Sequence, residues 1–167
     1  MKKLLNIIIP VLVLASLSQC VTAYQATGFT GGYNETQLDS NVFVVSFKGN
    51  GYTSSTRAAD FCLLRCAELC KQNGYDYFVI VDSDSYTKTV TTTSPTSYNS
   101  NYTTNTYGNT TYLSGTTRQS GGQSMTFNKP RNKNTIICLK GTPPNDGVIK
   151  YKPEFLIKSI KEKYKIN

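Results

Sequence analysis

The stretch 41–82, NVFVVSFKGNGYTSSTRAADFCLLRCAELCKQNGYDYFVIVD, constrains the fold more than any other part of this chain, because every local signal in it agrees. Residues 42–47 (VFVVSF) form a β-branched and aromatic run too short for a helix and apolar on both faces, the pattern of a strand central in a small sheet. Gly49-Asn50-Gly51 stops it. Thr53, Ser54, Ser55 and Thr56 then offer N-cap hydroxyls before Arg57, and Gly74 after Asn73 supplies a left-handed C-cap, so both ends of a helix of about five turns are marked. Residues 75–81 (YDYFVIV) read as a second strand, and a strand–helix–strand unit of this length suits a right-handed crossover between parallel strands.

At about 100° per residue, Ala59, Cys62, Leu63, Cys66, Leu69 and Cys70 share one face of the helix, and Arg57, Asp60, Arg65, Glu68, Lys71 and Gln72 the other. Phe61 and Leu64 interrupt the polar face three residues apart. They need a cover, either the C-terminal helix or a partner protein.

Outside this unit, residues 134–139 (NTIICL) read as a third strand, and Pro153 opens a last helix over 154–164 with Leu156, Ile157, Ile160 and Tyr164 on one face. The expected fold is a small α+β domain in the order β-α-β-β-α, its helices on one face of a three- or four-stranded mixed sheet. Residues 84–128 are almost free of aliphatic side chains and charge. They cannot bury enough apolar surface to offset the cost of ordering the backbone, about 1–2 kcal/mol per residue. Disorder or a loose hairpin is expected there, with the strand-favouring residues 86–93 extending the second strand. Tyr98, Tyr102, Tyr107 and Tyr112 recur through the tract, a pattern suited to glycan or peptidoglycan contact.

The amino terminus carries Lys2 and Lys3, then an apolar run over 4–17, the pattern of a secretion signal. Two processing sites compete. Leu17-Ser18-Gln19-Cys20 resembles a lipobox, in which the Cys20 thiol is acylated and becomes the new terminus, although Gln19 stands where Gly or Ala is usual. Val21-Thr22-Ala23 before Tyr24 is an ordinary small-residue site. Favouring the lipobox gives a signal over 1–19, a lipid-anchored tether over the Gly-, Thr- and Gln-rich 20–40, and a single domain over 41–167.

Eighteen Lys and Arg face ten Asp and Glu. Lys2 and Lys3 leave with the signal, so the remaining balance is +6. Lys158, Lys161 and Lys165 crowd the last helix; together with Phe61 and Leu64, where the C-terminal helix does not cover that pair, they are the candidate partner surface. An exported protein does not normally meet nucleic acid, so the partners expected are the membrane and envelope proteins. Of the cysteines, Cys62, Cys66 and Cys70 lie at i, i+4 and i+8, too far apart to pair along one helix. The favoured reading is that these three and Cys138 are small buried thiols; any disulfide would join one of the helical three to Cys138, with Cys66 and Cys138 the candidate pair. No cofactor is implied: histidine is absent and the cysteine spacing is wider than a zinc knuckle, so a metal site is disfavoured. Asp82 and Asp84 form the one tight carboxylate pair, read as solvated and not as catalytic.

The segments GGYNETQLD, NVFVVSFKGNGYT and GYDYFVIVDSD, with Lys129-Pro130 and the run from Cys138 to Pro144, resemble a family of small bacterial envelope lipoproteins without an established activity. The resemblance implies a lipid-anchored protein on the periplasmic leaflet of the outer membrane, and transfers no catalytic residue. The function expected is a non-catalytic interaction module, for example a subunit of an envelope-spanning secretion complex. The alternatives are an envelope stress or redox sensor using Cys138 with a helical cysteine, and a glycan-binding module using the polar tract.

Overall fold

The structure, a computed structural model, describes residues 21–167. It is an α+β fold whose chain forms two compact units, one running up to Lys88 and resuming over Asn128–Asn167, the other spanning Thr89–Phe127. The elements follow in the order β1 (Gly32–Asp39), β2 (Val42–Lys48), α1 (Ser55–Gln72), β3 (Tyr77–Thr93), β4 (Ser97–Tyr107), β5 (Thr110–Ser120), β6 (Ser124–Leu139) and α2 (Pro153–Tyr164).

In the first unit the sheet order is β1-β2-β6-β3. β2 pairs antiparallel with β1 on one side and with β6 on the other. The sheet is therefore antiparallel, not mixed. β2 and β3 are not neighbours either: β6, read from the sequence as a later strand, fills the gap that the crossover leaves between them.

Alternation along β2 turns Phe43, Val45 and Phe47 toward the helices, opposite Ile136, Asn134 and Asn132 of β6 in register. Phe43, Val45, Phe47 and Ile136, with Phe78, Cys138 and the inner faces of α1 and α2, make one core. α1 starts as its sequence dictates. The Ser54 hydroxyl accepts from the Arg57 N–H at 3.1 Å, and the chain leaves the helix through Gly74 at φ +71°.

α2 lies antiparallel along α1. Glu154 reaches toward Lys71, Lys161 toward Glu68, and Lys163 and Tyr164 toward Asp60, so one helix number rises as the other falls. This second neighbour buries Phe61 and Leu64 completely. Phe61 meets Phe47, Tyr24 and Tyr164 edge-on at 5.2, 5.4 and 5.0 Å. Of the two covers expected for this pair, the C-terminal helix is the one present: Phe61 and Leu64 are core and not a partner surface, and α1 is amphipathic toward two neighbours at once.

The tether expected over 20–40 is corrected as well. Gly32–Asp39 is strand β1, and its helix-facing residues are Tyr33, Glu35 and Gln37, opposite Phe47, Val45 and Phe43. Polar side chains hold this edge. Arg65 of α1 binds Glu35 at 2.7 Å and lies over the Tyr33 ring at 4.6 Å.

The second unit contains the β4-β5 hairpin. Its eleven cross-strand pairs run from Ser97↔Ser120 to Tyr107↔Thr110, with hydroxyl contacts such as Ser100 to Thr117 at 2.9 Å. Of the two forms expected for the polar tract, the structure has the hairpin. Backbone pairing and Thr-rich cross-strand contacts supply the order that apolar burial cannot.

Candidate functional site

The feature that most sets this fold apart lies immediately after position 20. Thr22 is fully buried. Its backbone N–H donates to the Thr53 hydroxyl at 3.2 Å, its own hydroxyl donates to the Thr30 carbonyl at 2.8 Å, and the same oxygen accepts the Asn50 N–H at 2.9 Å. The Thr53 hydroxyl donates to the Asn50 side-chain oxygen at 2.9 Å, which also accepts the Tyr52 N–H at 3.0 Å. The turn between β2 and α1 is thus organised around a residue from the extreme N-terminal end of the described chain.

Two glycines make this approach feasible. A side chain at Gly31, where φ is +106°, would place its first carbon 2.2 Å from the Lys48 carbonyl oxygen; one at Gly32, where φ is +131°, would meet the Gln25 carbonyl at 2.4 Å. The residues that marked a flexible tether in the sequence are those that let the backbone fold tightly against β2. Just beyond, the Tyr24 hydroxyl donates to the Glu68 carboxylate, and burial together with this bond lifts the phenol far above its ordinary range.

The sequence-predicted site residues are dispersed. Cys20 lies outside the described residues. Lys158 and Lys165 are exposed on or just past α2, and Lys165 caps that helix at φ +53°, so its backbone has a structural task. Lys161 is drawn toward Glu68 at 3.9 Å, and Lys163 of the same lysine cluster binds Asp60 at 2.7 Å. The lysine-rich helix therefore spends part of its charge on α1.

Cys62, Cys66, Cys70 and Cys138 are buried free thiols, with no Cys66–Cys138 disulfide; the Cys62 thiol donates to the Val45 carbonyl at 3.4 Å and the Cys70 thiol to the Tyr75 carbonyl at 3.8 Å. The neighbouring Cys138 and burial lift the Cys70 thiol, Cys70 in turn lowers Cys138, and burial pushes Cys66 upward. Asp82 and Asp84 are exposed. Among the described residues no cluster of three or more His, Cys, Asp or Glu is placed to hold a metal ion, and no helix is long and apolar enough to cross a membrane.

In the hairpin, cross-strand register puts Tyr98 and Tyr102 on one face, opposite Gln119 and Gly115. Tyr107 and Tyr112 stand on the other face, 6.5 Å apart edge-to-face. The tyrosines thus do not form one continuous aromatic strip. A polar hollow of about 490 Å³ lies among Asn99, Asn101, Thr116, Thr117 and Arg118.

No protein-family model, no curated protein and no solved structure matches the chain. The functional reading rests on the residues themselves.

Proposed function

We propose that the protein is a non-catalytic cell-envelope interaction module, held to the membrane by acyl chains on Cys20. The supporting observation is the seat of Thr22, because it separates the two processing sites in the sequence. Cleavage after Ala23 would discard Thr22 and with it the partners of the Thr53 hydroxyl, the Thr30 carbonyl and the Asn50 N–H. Each buried polar group left unpaired costs about 1–3 kcal/mol. Cleavage before Cys20 keeps Thr22 and all three bonds.

A thioether-linked diacylglycerol with an amide-linked third chain on Cys20 would give stable attachment, which one chain alone does not. Thr22 lies two residues from the anchor, a reach of about 7 Å when extended. In this reading the domain is seated close to the bilayer and presents its remaining surface to envelope proteins, among them subunits of a membrane-spanning secretion complex. Mild crosslinking from intact membranes of the wild type and of Cys20→Ser, with mass spectrometry of captured proteins, tests it. A fixed set of envelope proteins that the variant loses supports the module; identical sets from both overturn it.

A second reading, an envelope redox or stress sensor, is favoured by one observation, the free and buried state of all four thiols, three on α1 and one on β6. Thiol titration distinguishes the two readings. Loss of two thiols on mild oxidation with altered partner capture supports sensing, and four inert thiols support the anchored module.

A further inference from the structure

Three features converge at the end of the sheet where β2 finishes. The loop of residues 27–31 holds Phe29 wholly in solvent, and Tyr52, in the turn before α1, is exposed as well. Phe29 shares a hollow of about 280 Å³ with Lys48, Asn50, Lys129 and Arg131. Lys48 and Arg131 are direct cross-strand partners, an arrangement in which like charges repel. Among the described residues none of these three cations forms an ion pair, whereas Lys161 and Lys163 on α2 do. Arg131 instead lies 6.0 Å over the ring of Tyr86, and a second hollow of about 170 Å³ continues the basic surface past Lys133.

A strand pairing that opposes two cations without a counter-charge is a local conflict, and such conflicts are expected where a ligand supplies the missing anion. A solvated aromatic ring at a loop tip, ringed by cations, matches the layered chemistry of a bilayer surface: aromatic rings settle at headgroup depth, and Lys and Arg are drawn to anionic phosphates. The same end contains the Thr22 seat, since Asn50 both borders the hollow and donates to the Thr22 hydroxyl.

We propose that this end of the domain docks on an anionic phospholipid surface, with Phe29 entering the headgroup region and Lys48, Lys129 and Arg131 against lipid phosphates. The proposal rests on the anchored reading: the acyl chains fix the domain to a membrane, and this face sets which end meets it. Each cation near an anionic surface raises partitioning roughly fivefold, so three together amount to about a hundredfold.

The chain contains no tryptophan, so Phe29→Trp places a single indole at the loop tip. The full processed protein carrying this change is reconstituted on phosphatidylcholine vesicles with and without phosphatidylglycerol, some bearing brominated acyl chains. The expected result is flotation with both vesicle types, but a blue-shifted and bromine-quenched indole only where phosphatidylglycerol is present. The shift is expected to disappear in the Lys48→Gln/Lys129→Gln/Arg131→Gln background while flotation persists. Flotation with an indole that stays in water on every vesicle overturns the docking face, leaves the anchor standing, and gives the basic end to an acidic protein partner instead. A processed chain that carries no acyl mass and does not float overturns the anchor. The same indole on the then soluble protein, added to phosphatidylglycerol vesicles, reads the docking face by itself, an absent shift overturning it and a salt-sensitive shift supporting it.

Discussion

The Thr53 hydroxyl, in the turn before α1, accepts the backbone N–H of Thr22 at 3.2 Å across 31 residues of sequence. Both residues are buried, so the first ordered turn of the chain and the start of its main helix are one structural feature. Thr22→Val keeps the shape of the side chain and removes the oxygen that binds Asn50 and Thr30. A loss of about 1–3 kcal/mol is expected in urea unfolding, from the buried groups left unpaired. An unchanged midpoint would show that the seat contributes nothing to the fold.

Phe61 and Leu64 belong to the core, and substitution there acts through stability. Phe61→Ala is expected to cost about 3–5 kcal/mol and Leu64→Ala about 2–5 kcal/mol. Lys158→Ala on exposed α2 is expected to stay within about 0.5 kcal/mol. Thermal unfolding of the three variants checks the order; a native-like Phe61→Ala protein that fails only in partner capture would return Phe61 to the surface.

The helix ends and the strands β2, β3 and β6 were legible because their cues are local: hydroxyls before Arg57, Gly74 after Asn73, and apolar runs of strand length. What escaped was tertiary. Glu35 and Gln37 occupy the helix-facing side of β1, so no apolar alternation marks that strand, and its support comes from Arg65, thirty residues on. The helical wheel alone put Phe61 and Leu64 on the polar face, and only the cover by the C-terminal helix, one of the two expected, accounts for their burial. The seat of Thr22 had no signature in a single sequence beyond Gly31 and Gly32, which read equally well as linker.

Tyr24 gives the domain a pH dependence of defined sign. Burial and then the Glu68 bond raise its folded pKa above the unfolded value of about 10. A raised folded pKa means stability that is complete below about pH 10 and is lost as pH climbs toward the folded value. Tyr24→Phe is expected to lower stability by about 1–3 kcal/mol at pH 7, through loss of a bond to a charged acceptor, and to flatten the decline above pH 10. Equal alkaline slopes for both proteins in unfolding titrations would remove Tyr24 from this role.

Cys70 and Cys138 should behave as a pair. Diamide, which removes two electrons and two protons from a dithiol, is expected to link these two and to leave Cys62 and Cys66 free. Peptide mapping reads the linkage. Cys66→Ser is expected to preserve it and Cys70→Ser to abolish it; a Cys66–Cys138 bridge would contradict this pairing.

The most direct measurement is the mass of the N-terminal peptide of the processed protein recovered from membranes. A chain beginning at Cys20 and carrying diacylglyceryl and a further acyl group is the predicted result, since it retains the buried Thr22. A soluble chain beginning at Tyr24 would contradict the account, because it would show that the domain is completed without that residue and held by no lipid.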